Sequence, residues 1–404
     1  MAELRQNTWS LDEWYDQAVA GTTGGYNGTG ELYMWGDEDD GSLGLNSPSD
    51  LDRSSPTQVP GTNWVSHYKG NMSNFATKND GTAWSWGFNQ HGQLGQNTGG
   101  NPASISSPTQ IGTDTTWSKD VNGKFSSMMQ YGSSAIKSDG TLWSWGDNEY
   151  GFLGLNQPAP TRISSPVQVG SDSTWAILSD GMGYSEAGGV KTDGTLWMWG
   201  YGEEGTLGLN EGGPGAHRSS PVQIPGTTWS TDPQKLVVQS YGGVKAIKTD
   251  GTMWTWGYNG YSILGLSVPG SRSSPVQLPG TTWKYVGGRG FQVAAIKTDG
   301  TLWSWGYNLS GSLGHNNKTN YASPRQVGSD NTWAHVQCFD YNNGKGGMLA
   351  VKTNGTLWSW GNNENGELGH NNNTDYSSPK QVPGTWAGTS LTSAMEFNSC
   401  LQIF

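Results

Sequence analysis

Apolar and polar residues alternate with a period of two in short runs that recur about every fifty residues, and each run closes on Trp-Gly. The copies end at Trp35-Gly36, Trp86-Gly87, Trp145-Gly146, Trp199-Gly200, Trp256-Gly257, Trp305-Gly306 and Trp360-Gly361. In the run Thr301-Leu-Trp-Ser-Trp-Gly306 the tryptophans are two residues apart, so a strand places Trp303 and Trp305 on one face, and that face must be buried. A unit of this size made of short strands cannot bury its apolar face alone. Neighbouring copies must stack to share a core.

Each copy contains four such segments. The clearest runs Ser274-Pro-Val-Gln-Leu278, Gly280-Thr-Thr-Trp283-Lys-Tyr-Val286, Val293-Ala-Ala-Ile-Lys297 and Thr301-Leu-Trp-Ser-Trp-Gly306. Between the third and fourth stands Asp299-Gly300, a short-hairpin signal because tight hairpin turns need positive φ. The turn recurs at Asp80-Gly81, Asp139-Gly140, Asp193-Gly194, Asp250-Gly251 and Asn354-Gly355. Ser-Pro-x-Gln segments begin at Ser55, Ser107, Ser165, Ser220, Ser274, Ser323 and Ser378. The first Trp-Gly strand lacks a third-type strand before it, and the last segment, around Ser393–Gln402, lacks a Trp-Gly strand after it. These ends are expected to pair antiparallel in one composite blade, removing exposed sheet edges. The expected fold is all-β: a seven-bladed β-propeller of four-stranded blades over residues 30–404, closed by its two ends.

The unit Ala-Ile-Lys-Thr-Asp-Gly-Thr-Leu-Trp-Ser-Trp-Gly, followed by Asn, Gly and Leu-Gly and then by Ser-Pro, resembles the repeat of the regulator of chromosome condensation family. That resemblance covers roughly residues 30 to 404 and implies a seven-bladed propeller. It implies little about function, because the family includes nucleotide-exchange factors, ubiquitin-ligase modules, enzyme inhibitors and phage or bacterial surface proteins. Fold alone does not assign an activity.

Before the first blade, residues 1–29 form an expected arm. Ser10-Leu-Asp-Glu13 has capping-box spacing, and residues 11–20 read as a short helix ending at Gly21, followed by a Gly-rich linker. Leu11, Trp14, Tyr15 and Ala18 share its apolar face, which would dock on the propeller or anchor it to a partner.

Charge narrows the partners. With 62 Gly, 22 Trp and only 14% charged residues the chain reads as a turn-rich β protein whose core depends on indoles. The net charge is −11, with no Lys/Arg cluster, which disfavours nucleic acid. Neither a membrane-length apolar run nor a signal peptide is evident, and the chain is expected to be made in a cytoplasm. Cys338 and Cys400 do not make a disulfide framework, and two thiols are favoured over one bridge.

Candidate chemistry is sparse. The six histidines do not cluster at ligand spacing, no nucleophile elbow or phosphate loop is present, and no enzyme, cofactor or metal is expected. Acidic loop stretches at Asp37–Asp40 and Glu203-Glu204 lack the spacing of a calcium loop. Lys78, Lys137, Lys191, Lys248, Lys297 and Lys352 recur before the hairpin turn. They would form a basic ring if their strand lines the channel; the plainer expectation pairs each with the Asp two residues later.

Strand alternation puts the Asp-Gly turns and Pro-Gly-Thr connections on one face, nearly constant, and the loops after Trp-Gly on the other. On the second face the distance from the single tryptophan to the next lysine varies from 14 to 20 residues. Variable loops on a rigid scaffold are where binding sits. Tyr68, Tyr150, Tyr184, Tyr241, Tyr261, Arg289 and Tyr341 are the candidate partner-binding residues, Tyr and Arg being enriched at recognition hot spots. Together with the family resemblance, this composition suggests a noncatalytic phage virion component, in capsid decoration or tail attachment, that meets other virion proteins or a host receptor, with a glycan as a possible ligand. A cytoplasmic interaction module such as an enzyme inhibitor, or less favourably a GTPase exchange factor, is the alternative.

Overall fold

The computed structural model describes residues 31–36, 38–46, 53–70, 72–98, 103–118, 126–128, 132–157, 161–179, 186–239, 242–341, 344–364, 366–370, 372–383, 394–395 and 398–403. All of its sheets are antiparallel and four-stranded. Six are blades of four consecutive strands: blade 1 (64–110), blade 2 (126–168), blade 3 (175–224), blade 4 (236–277), blade 5 (283–326) and blade 6 (333–381).

Each blade keeps one order. In blade 5, Trp283–Arg289 forms one edge, Gln292–Lys297 and Leu302–Gly306 lie inside, and Tyr321–Gln326 forms the other edge. The single-tryptophan edges of blades 4, 5 and 6 pack against one another, while the Ser-Pro edges are the more exposed.

The expectation of a seven-bladed propeller requires correction, although the expected antiparallel pairing of the two ends is found; the expected helical arm, residues 1–29, lies outside the described residues. Six blades have the repeat's build. The remaining four strands form a sheet of another kind, drawn from both chain ends, in the order 53–58, 31–36, 398–403, 394–395. Glu31–Gly36 pairs with Asn398–Ile403 in register from Glu31 opposite Ile403 to Gly36 opposite Asn398, and the last strand is only two residues long. A sheet assembled from separated pieces has no internal Asp-Gly hairpin of the repeat, so it is not a further copy of the unit. Among the described residues there is no α-helix, only 3-10 turns such as Asp39–Gly41 and Gly260–Ser262. Leu11, Trp14, Tyr15 and Ala18 lie outside the described residues.

The core is a ring of indole clusters at the blade junctions. Around Trp305 gather Ile263, Leu264, Leu278, Trp283 and Val293, all buried. The second Trp of the pair ties one blade to the last. Trp145, Trp199, Trp256, Trp305 and Trp360 donate their indole N–H to the carbonyls of Gln93, Phe152, Thr206, Ile263 and Ser312 in the preceding blade's loop, at 2.7–3.0 Å. That bond needs the loop to come close. A β-carbon on Gly265 (φ +72°) would lie 2.9 Å from Trp305 Nε1, so only glycine allows both the turn and the approach.

Candidate functional site: the loop face

The two ends of the blades are built differently. At the Asp-Gly turns, six copies repeat one network. Thr82, Thr141, Thr195, Thr252, Thr301 and Thr356 accept the indole N–H of Trp84, Trp143, Trp197, Trp254, Trp303 and Trp358 at 2.8–3.0 Å. Each Thr hydroxyl donates in turn to the Asp or Asn that opens the turn, as Thr301 does to Asp299 at 2.7 Å. The six lysines lie over these same indoles, 3.6–4.3 Å from the ring centroids, close enough for cation–π attraction.

The basic ring is therefore not formed. The lysine-bearing strand is flanked on both sides within its sheet, so it does not line the channel. Nor is the Asp two residues on the chief partner. Lys137, Lys191 and Lys352 reach Asp114, Asp172 and Asp330 of the connection before the single tryptophan, at 2.5–2.6 Å. The Lys352 ammonium and the Thr332 hydroxyl hold the Asp330 carboxyl at about 2, below the ordinary carboxylate value. The polar groups of this network are engaged with one another rather than turned outward.

On the opposite end two tyrosines stand out. Tyr150 and Tyr261 occupy equivalent places in the loops of blades 2 and 4, two residues after Asn148 and Asn259. They are 37% and 49% exposed. Their backbones are left-handed, with φ of 64° and 56°. For a bulky residue that conformation is an outlier, tolerated where the surroundings hold it. Asp40 takes the same conformation at the corresponding place in the first loop, with φ of 56°, so it belongs to the turn, and at the two tyrosines aromatic packing is added to it. The Tyr150 ring packs on Tyr201 and His217 of blade 3, at 5.2 and 5.1 Å between centroids. Tyr261 packs on Phe291 and Tyr307 of blade 5 at 4.3 and 4.6 Å.

Carboxylates join the two clusters. Tyr201 donates its hydroxyl to Glu203 at 3.0 Å, and burial together with that carboxylate pushes the phenol up to about 12. Glu204 is exposed and accepts from Ser271 of the blade 4 loop at 3.1 Å. Burial, Tyr261 and Glu204 together raise the Tyr258 phenol. The two clusters thus form an arc over blades 2 to 5, spanned between blades 3 and 4 by the Glu204–Ser271 bond, with Glu149 next to Tyr150 and Glu203 on Tyr201.

The other candidates sit elsewhere. Tyr68 is half-buried and faces Phe75 at 6.5 Å within blade 1, and Arg289 is half-buried at the end of its strand. Tyr341 ends the strand Trp333–Tyr341, and Tyr184 and Tyr241 lie outside the described residues. Cys400 stands in the strand Asn398–Ile403, whereas Cys338 is buried in blade 6. Among the described residues, no three His, Cys, Asp or Glu side chains are grouped to hold a metal ion.

Some features have no counterpart in the repeat pattern. Lys245 is wholly buried, paired with Gln239 Oε1, and burial pushes its ammonium well below the ordinary lysine value. It stands where the other blades carry the uncharged Phe75, Ser134, Gly188, Ala294 and Leu349, so a charge at this place in the repeat was the available signal. An open cleft of 620 Å³ between blades 5 and 6 is lined by His315, Arg325, Trp333, Lys352 and Trp358. His315 and His370 each bond a strand serine, Ser304 or Ser359.

Stacked blades of this build define a repeat propeller that presents one constant and one variable end. The profile described as Regulator of chromosome condensation (RCC1) repeat matches six places, residues 29–72, 80–126, 139–177, 193–235, 299–341 and 354–387, and the chain belongs to that family. It is 28% identical over 361 residues to the ultraviolet-B receptor UVR8 of Arabidopsis thaliana, covering 86% of this chain and 76% of the receptor. It is 25% identical over 393 residues to the E3 ubiquitin-protein ligase HERC2 of Homo sapiens, covering 94% of this chain but 8% of the ligase. Among solved structures, Prp20p of Saccharomyces cerevisiae superposes with a TM-score of 0.75 at 18% identity, covering 93% of this chain and 92% of that one. Human WBSCR16 gives 0.73 at 18%, covering 93% and 98%. These likenesses establish the fold.

Proposed function

We propose that this chain is a protein-interaction propeller that performs no chemistry of its own and meets its partner with the loop face, between blades 2 and 5. One observation carries the reading: two tyrosines at equivalent loop positions are exposed and packed on rings from the next blade. An isolated exposed tyrosine needs no explanation, but two at equivalent loop positions, each standing on an aromatic cluster of the next blade, suit a surface for contact. Prp20p, whose fold this chain shares, binds Gsp1p and histones, which supports a protein as the class of partner.

The finer assignment, a virion component anchored by residues 1–29 and located in a phage particle, is supported by composition and family resemblance; a cytoplasmic interaction module is its alternative. Whether the native protein purifies within a particle or alone separates the two.

The loop-face reading is tested by placing a photo-crosslinking amino acid at Tyr150, at Tyr261 and, on the other end, at Asp193 and Asp299 in the producing cell. Crosslinks to another protein from the first pair alone are expected. Crosslinks from the second pair alone, or from neither pair, overturn it.

A further inference from the structure

Resting on the loop-face reading, the geometry points to a specific chemistry of partner: we propose that the arc binds a basic protein segment, with Arg or Lys side chains placed over the Tyr150 and Tyr261 rings and against the carboxylates of Glu149, Glu203 and Glu204. Three observations converge. The exposed faces belong to tyrosines, whose ring quadrupole attracts a cation, and Arg is the side chain that stacks best on such a face.

The rings of each cluster are close-packed, 4.3–5.2 Å between most centroids, which leaves no room for a cation among them. A cation must therefore lie on the outer faces, where Tyr150 and Tyr261 are open to solvent. Among the described residues, the nearby arginines do not neutralise the acidic side chains between the two rings. Arg218, the basic group bonded to this stretch of loop, is occupied by Glu211 and by the His217 carbonyl. Arg272 donates to the carbonyls of Gly270 and Ser271. Glu203 accepts from Tyr201 and lies 3.6 Å from His217, and the exposed Glu204 accepts from the Ser271 hydroxyl.

The other end of the propeller also carries carboxylates, and it defines the control. There each Asp is bonded by its own Thr and several by a lysine, and lysines already cover the indoles, so carboxylates are present without an open ring. A chain of net charge −11 attracts any polycation weakly; a built site must bind more than that.

The experiment measures binding of a synthetic twelve-residue peptide of alternating Arg and Gly, and of its twin with Gln for Arg, to the full chain by titration calorimetry at two salt concentrations. The Arg peptide is expected to bind and the Gln peptide not, with affinity falling as salt rises. Tyr261→Ala and Tyr150→Ala should each weaken binding by about tenfold, and Glu204→Gln by about threefold, while Asp193→Asn and Asp299→Asn change it less than twofold. Circular dichroism melts of the same variants show whether they are folded, and Tyr261→Leu, which keeps the packing on Phe291 without a phenol ring, guards against loss by unfolding. Equal binding of both peptides, unchanged affinity in Tyr261→Leu, or an equal loss in Asp193→Asn overturns the proposal. If the crosslinks form from the loop face while the Arg peptide fails to bind, the basic chemistry is wrong and the loop-face reading stands. If no crosslink forms there, that reading falls too.

Discussion

The two ends of this propeller are made from the same repeat and differ in how they use polar groups. At the Asp-Gly end, the Asp or Asn side chain, the Thr hydroxyl and an indole N–H bond one another blade by blade, a pattern repeated six times, and in three blades a lysine pairs with a further Asp. At the loop end the hydrogen bonds that persist are structural, such as Asn308 Oδ1 accepting the Leu313 amide at 2.9 Å, and the residues around them change from blade to blade. A closed network resists change because removing one partner leaves the others unsatisfied. An open loop built on glycine turns and a single plugging leucine tolerates substitution at its tip, and that is where Tyr150 and Tyr261 stand.

This contrast can be broken first at what the ends share. Trp305→Ala empties the junction between blades 4 and 5 and removes the bond to the Ile263 carbonyl; a loss of about 4 kcal/mol is expected in chemical denaturation. A loss of under 1 kcal/mol would show that the junctions do not depend on their indoles.

Acid comes next. Burial and then the Lys380 charge lower the buried His370 imidazole to about 4. The unfolded chain takes up a proton near 6.5 and the folded one near 4, so the unfolded state holds more protons between these values. Stability from this group is whole above 6.5 and is lost as the pH falls towards 4, on the order of 3 kcal/mol in all. His370→Gln should flatten that part of a melting-temperature profile. An identical profile in the variant would remove His370 from the account.

Gly265→Ala tests the close approach of loop and indole, and about 2 kcal/mol of destabilisation is expected from the left-handed backbone and the contact with Trp305. Thr301→Val sharpens the contrast at the constant end. It strands the Trp303 N–H and one Asp299 acceptor, for about 1 kcal/mol. The smallest effect is expected at the variable end. Tyr150→Gly loses ring packing but relieves the positive φ, so the two nearly cancel and stability should move by less than about 0.5 kcal/mol. If Tyr150→Gly proves as costly as Trp305→Ala, the tyrosine is part of the frame and the difference between the ends dissolves.

Much of the scaffold was legible because it depends on local rules. Tryptophans two apart, Asp-Gly between apolar runs and Ser-Pro at the edge each specify a strand or turn from a few neighbouring residues. The lysines were legible as a repeat but not as contacts. Their partners Asp114, Asp172 and Asp330 come from the connection before the single tryptophan, and only the hairpin's folding onto that connection makes them neighbours.

What the amino-acid sequence determined by itself was therefore the unit: its strands, its turns and the buried indole face that obliges copies to stack. Tertiary structure alone decided how far the sheet joining the two ends departs from the repeat, its edge strand 394–395 being only two residues long. It alone decided which tyrosines are exposed. Tyr68 and Tyr261 are the same residue type on candidate loops, but one packs within blade 1, while the other is raised on rings supplied by the next blade. The physical reason is that burial depends on neighbours brought together across blades, and no local pattern of residues encodes that distance.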